Sequence, residues 1–180
     1  VQKCEKEGYI ALYIPERIIG KGFWIKVRDF ERQFYTGTVI DAVRFIRKDI
    51  FFKAGEFDET LTGPEDWDLD RRIRQLGKVG IIKSPLYHNE GEFSIKRYIA
   101  KKKYYMKGMM KYVQKWGEND PIVRKQLGLW YRLAKVYTEN RKWRHFIKNL
   151  HYALAMYYLK FRLALLFFTI RQKHKILGVS

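Results

Sequence analysis

At 180 residues with 47% hydrophobic side chains, the chain is long enough to bury a core, and its single cysteine, Cys4, excludes both a disulfide framework and a cysteine-ligated zinc site within it. The formal net charge of +18 is unevenly placed: residues 1–93 hold 16 Lys/Arg against 16 Asp/Glu, whereas residues 94–180 hold 21 against 3. The second stretch therefore either faces something negative, phospholipid head groups or nucleic acid, or forms a well-solvated helical surface.

In chain order, residues 1–8 read as the tail of a helix that stops at Gly8, and Tyr9 to Ile14, β-rich and bounded by Gly8 and Pro15, as a strand. Gly20-Lys21-Gly22 reads as a hinge before an amphipathic helix with Phe23, Val27, Phe30 and Phe34 on one face. Thr38 to Ile46 is predicted as a second strand, followed by a short helical turn from Ile50 to Ala54 that ends at Gly55. Thr62-Gly63-Pro64-Glu65 fits a capping box, with Leu69, Ile73 and Leu76 as the apolar stripe of the helix and Gly77 as its stop. Val79 to Ile82 is a third strand, and Tyr87 to Gly91 a polar loop at its carboxyl end, where open α/β sheets place ligands.

From Ser94 the pattern is helical. A first helix runs to Gly117, with Lys103, Lys107, Lys111 and Lys115 at spacing four, and a second is capped by Asn119-Asp120-Pro121 and runs to about Thr138. Trp143 to Lys175 is apolar but interrupted by Lys160 and Arg162, whose cost of roughly 5 to 7 kcal/mol makes a membrane span borderline. Arg144, Lys148, His151, Arg162, Thr169 and Lys173 fall near one line, which favours an interfacial helix with snorkelling basic residues, with Lys160 and Arg171 opposed to it; a buried core helix and a true span stay open.

The chemistry concentrates in Glu65-Asp66-Trp67-Asp68-Leu69-Asp70. Acidic residues suit a helix start, and Glu65 has a capping role there. The cap does not need Asp66, and a carboxylate on a rigid helix start is placed to act as a general base toward a hydroxyl. Asp68 and Asp70 are expected to be solvated or paired with Arg71, Arg72 or Arg74, and Trp67 is either core or the apolar wall of a sugar site.

Arg44-Phe45-Ile46-Arg47-Lys48-Asp49 with Phe51, then Gly55-Glu56-Phe57-Asp58-Glu59, then Gly63-Pro64-Glu65-Asp66-Trp67-Asp68-Leu69 with Arg72 and Gly77, resembles the second half of a glycosyltransferase family 2 domain. The resemblance is dense from about Ile14 to Gly91 and implies an α/β fold, part of a GT-A (Rossmann-like) mixed sheet over residues 1–93 followed by C-terminal helices; the charge and apolar pattern of residues 94–180 read separately as a basic, membrane-associated helical region. The resemblance implies inverting transfer from a nucleotide-sugar donor to a hydroxyl acceptor, with Asp66 as base, Glu65 orienting the acceptor or the loop, and Trp67, Arg44 and Arg47 meeting substrate. His88, in a His-x-x-Gly setting with Gly91, would approach a divalent metal, Mg or Mn, or the donor diphosphate; without the resemblance it reads as a loop histidine with a structural role.

Family members begin with a nucleotide-binding half carrying an Asp-x-Asp metal motif. That half is expected upstream of Val1, because Asp66-Trp67-Asp68 and Asp68-Leu69-Asp70 sit on the acceptor-side helix. The Gln-x-x-Arg-Trp element of processive synthases is missing, which leans toward addition of one or a few sugars. A lipid-linked acceptor and an anionic membrane surface, on the cytoplasmic face, fit the basic second stretch at about 1 kcal/mol per Lys/Arg. The alternative is a non-catalytic basic module that binds anionic membrane or nucleic acid.

Overall fold

The computed structural model describes residues 2–176, with side chains at 4–106 and 108–165. The chain is mixed α/β. Helix α1 (Gln2–Glu7) leads into β1 (Ala11–Tyr13), which lies at the centre of a three-stranded sheet between β3 (Phe45–Ile46), antiparallel, and β4 (Val79–Ile81), parallel. Past Pro15 the chain continues as β2 (Glu16–Lys21), and past Pro85 as β5 (Leu86–Glu92), and these two pair in parallel. The amide of Ile82 on the Tyr13 carbonyl (3.1 Å) and that of Leu86 on the Pro15 carbonyl (2.9 Å) bridge the gap, so β1–β2 and β4–β5 form one bent ribbon.

That ribbon corrects two sequence expectations. Gly20-Lys21-Gly22 is no free hinge, since Gly20 and Lys21 end β2, and Tyr87 to Gly91 is strand rather than loop. The pairing shifts register between Ile19 and Gly20, and Gly20 faces Gly91 so closely that a Cβ would overlap the Gly91 carbonyl. The strand predicted over 38–46 shrinks to Phe45–Ile46. Gly37 takes φ 70°, and the Thr38 hydroxyl donates to the Tyr35 carbonyl at 2.7 Å, so a local turn consumes the residues before it.

Helix α2 (Phe23–Arg32) buries Ile25, Val27 and Phe30. Helix α3 (Lys48–Lys53) and helix α4 (Glu65–Leu76) cover the three-stranded sheet through Ile50, Ala54, Leu69 and Ile73 against Ala11, Tyr13 and Val43. The expected capping box does not form. Pro64 itself is the N-cap of α4, which leaves Thr62 two positions too early for its hydroxyl to reach the first-turn amides, and no side chain caps the helix. Thr62 instead lays its main chain against Gly108 of helix α5 (Ile95–Trp116), where a Cβ would overlap it.

Ser94 caps α5 and Asp120 caps helix α6 (Pro121–Leu127), the latter accepting from the amides of Ile122 (2.9 Å) and Val123 (2.8 Å). The helix predicted to reach Thr138 stops at Gly128, whose extended backbone breaks it; a π-helical turn over Tyr131–Lys135, helix α7 (Val136–Thr138) and helix α8 (Trp143–Lys148) follow. The final helix, α9 (Leu150–Ile176), packs on α2. Val27, Phe30 and Phe34 share one core with Tyr131, Val136, Tyr137, Ala153, Met156 and Leu159, so the change in charge near residue 93 marks no break in packing.

Lys160 is the clearest departure from a snorkelling arrangement. Its Nζ points inward to Glu31 Oε1 at 2.9 Å, while Arg28 holds the other oxygen at 3.0 Å and the Tyr35 hydroxyl donates to the same carboxylate. Burial alone would raise the Glu31 carboxyl, but the charges of Lys160 and Arg28 hold it well below the usual range. Among the described residues no helix is long and apolar enough to cross a membrane. The side chains of Lys107, Thr169, Arg171, Lys173 and Lys175 lie outside those described.

Candidate functional site

Four chain segments converge on one carboxylate. Glu16 opens β2 and, with Ile18, faces inward, while Arg17 and Ile19 face out. On the paired strand His88 stands opposite Ile18, on the same face of the ribbon, and its Nδ1 lies 2.9 Å from Glu16 Oε1. Arg32, at the end of α2, reaches Glu16 Oε2 at 2.9 Å and Asp41 at 3.0 Å. Arg44, placed beside β3 by its amide bond to the Leu12 carbonyl, reaches the same Glu16 oxygen at 3.2 Å. The other end of that guanidinium stands 3.7 Å from Asp66 Oδ2, at the start of α4.

The result is a connected line of polar groups, Asp66, Arg44, Glu16, His88, with Arg32 and Asp41 also tied to it. Glu16 is only 8% exposed, whereas the side chains of Asp66 and His88, at its two ends, are 47% and 50% exposed. Burial works against ionisation of Glu16, yet Arg32, His88 and Arg44 together hold its carboxyl below the ordinary range. Burial dominates at Asp41 and raises its carboxyl despite Arg32 and the Gly37 and Ala42 amides. A fixed anion at Glu16 thus aligns two guanidiniums, and one of them presents its far edge to Asp66.

The other sequence candidates have different partners or none within this network. Arg47 forms a bidentate pair with Asp49 (2.8 and 3.1 Å) on an exposed turn. Trp67 donates through Nε1 to the Ile40 carbonyl at 3.3 Å and packs edge-on against Tyr112, between two core clusters. Glu65, beside Asp66, has one buried carboxylate oxygen, Oε2, with no hydrogen-bond partner.

Asp68 is paired, as expected, but fully buried rather than solvated: Arg72 (2.8 Å), Lys115 (3.0 Å) and the Trp116 indole (2.8 Å) hold it. Asp70 is buried too, accepting from the Val43 amide at 3.1 Å, and burial pushes its carboxyl up to about 6. The Gly55 to Glu59 element is structural here. Arg72 donates to the Ala54 and Glu56 carbonyls, the latter a residue at φ 56°, and Asp58 pairs with Lys115 at 2.7 Å, which with Thr60 holds its carboxyl down at about 2.

Glu16 and Arg32 are the members that the sequence reading missed. No local signal marks Glu16, because its inward position exists only once β2 pairs with β5; its burial then requires the cationic partners it has.

His88 was also the candidate metal ligand. Its Nδ1 is committed to Glu16, whose oxygens already accept from two guanidiniums, and among the described residues no group of three His, Cys, Asp or Glu is placed to hold an ion. Mg and Mn take about six, mainly oxygen, ligands. These residues do not by themselves fit such an ion. Comparison of the chain with family models, with curated proteins and with solved structures returned no match.

Proposed function

We propose that the chain is the acceptor-side part of a GT-A type glycosyltransferase that moves a sugar from a nucleotide-sugar donor to a hydroxyl acceptor. The observation that carries this reading is the line Asp66, Arg44, Glu16, His88, which joins residues from separate elements through a buried carboxylate and leaves its two ends, Asp66 and His88, accessible. In the proposed reaction the exposed Asp66 carboxylate accepts the proton of the acceptor hydroxyl. The oxygen then attacks the anomeric carbon from the side opposite the diphosphate, the carbon–oxygen bond to the diphosphate breaks with its electron pair, and the sugar is transferred with inversion.

Arg44 fixes the direction of the Asp66 carboxylate, and its own direction is fixed by Glu16. His88 and Arg44 supply donors to the negative charge that accumulates on the diphosphate. Glu65 Oε2, buried beside the base without a partner, supports a role in orienting the helix start or the acceptor.

The test is Asp66→Asn in the full-length protein, screened against a panel of nucleotide sugars for release of nucleoside diphosphate and for sugar transfer. The isosteric change should lower turnover by about 100-fold or more with donor affinity unchanged. Turnover within twofold of the unmodified protein would overturn the assignment of the base.

A further inference from the structure

We infer that the outer face of α9 is a membrane-docking surface that lies flat in the head-group region of an anionic bilayer. Helix α9 buries Ala153, Met156 and Leu159 on the side turned to the core. On the opposite side, Leu150, Leu154, Tyr158, Phe161 and Leu165 follow at steps of three and four residues and are each between 46% and 64% exposed. At about 1.5 Å per residue this is an apolar stripe of about 22 Å on one helix face, and exposed apolar stripes of that extent mark interaction sites.

Charge identifies the occupant. The sequence holds no Asp or Glu after Glu139, while Arg141, Lys142, Arg144, Lys148, Lys160, Arg162, Arg171, Lys173 and Lys175 follow it. Arg162 is exposed next to Phe161 of the stripe, and Arg144 and Lys148 are exposed on α8, the helix just before α9. A second copy of the chain would bring two acid-free surfaces together, and the phosphates of nucleic acid offer nothing to bury large aliphatic side chains. An anionic leaflet satisfies both features, with acyl chains for the stripe and head groups for its rim. Lys160 sets the depth, because its tie to Glu31 inside the protein holds α9 against the core and keeps it from crossing the bilayer.

This inference is independent of the transfer reaction, and its test needs no sugar donor. The protein is co-sedimented with vesicles of phosphatidylcholine and of phosphatidylcholine mixed with phosphatidylglycerol. It should bind the anionic vesicles, less in high salt, and Leu154→Glu with Phe161→Glu should lower that binding by more than about tenfold while leaving the melting temperature unchanged. Arg144→Glu with Arg162→Glu should abolish the preference for the anionic vesicles.

Vesicle binding that survives the first pair of substitutions, or no binding by the unmodified protein, would overturn the inference. So would a dimer seen in sedimentation, or duplex DNA binding, that the Leu154/Phe161 pair removes.

Discussion

Replacing Lys160 by Met separates an inward, structural lysine from one that serves a membrane surface. In the structure the ammonium is buried against Glu31 at 2.9 Å and also faces the Tyr35 hydroxyl and the Arg132 carbonyl, each at 3.4 Å. Breaking a buried pair by removing one partner costs about 3–5 kcal/mol. Glu31 keeps Arg28 and Tyr35, and Met fills the volume of the lysine stem, so the lower end, about 3 kcal/mol, is expected, equivalent to about 6–12 °C in melting temperature. Urea unfolding at pH 7 measures it.

The pH dependence adds a second readout. Because Glu31 is held below its unfolded pKa of 4.5, its contribution is complete above that value and is lost as pH falls toward the lower folded pKa. The gap between the two proteins should therefore narrow below about pH 4. Glu31→Gln added to Lys160→Met should cost less than the sum of the single changes. A loss under about 1 kcal/mol for Lys160→Met would refute the buried pair and return Lys160 to a solvent- or lipid-facing position.

Two further outcomes test the packing around α5. Lys102 lies over the Tyr98 ring, and burial first, then the neighbouring charges of Arg28, Arg132 and Lys160, push its amine down to about 7 from 10.5. Unfolding thus takes up a proton between those values, so this group makes the protein more stable as pH rises from about 7 toward 10, and Lys102→Met should raise the melting temperature at pH 6 and flatten that rise. Gly108→Ala would strengthen an isolated helix by about 1 kcal/mol, yet its methyl group would fall on the Thr62 main chain, so a net loss of about 1–3 kcal/mol is expected in thermal unfolding.

The parts of the fold legible in the sequence were those fixed by local rules. Gly55, Gly77 and Gly117 end helices where the pattern places their ends, Ser94 and Asp120 cap helices, and of the stripe Leu69, Ile73 and Leu76 the first two turn to the core while Leu76 is left exposed. The parts that were not legible depend on distant partners. β2 and β5 carry charges and glycines that suggest loops, and only their pairing across some seventy residues makes them strands. Lys160 broke an apolar run and stood opposed to the basic line of that helix, and its meaning is set by Glu31 on α2, which no window of sequence around α9 contains.

The candidate site divides along the same line. Asp66, Arg44 and His88 were each visible as residues, but what connects them is Glu16, whose partners Arg32, Arg44 and His88 lie 16, 28 and 72 residues away. Without that carboxylate the two guanidiniums would face each other and His88 would stand alone on an exposed strand. With it, the acidic helix start resolves into two functions: Asp68 and Asp70 turn inward as anchors for α5 and the segment before β3, and the Asp66 side chain stays accessible beside an arginine whose other edge is already fixed. A base needs that combination of access and fixed orientation, and neither Asp68 nor Asp70 has the access.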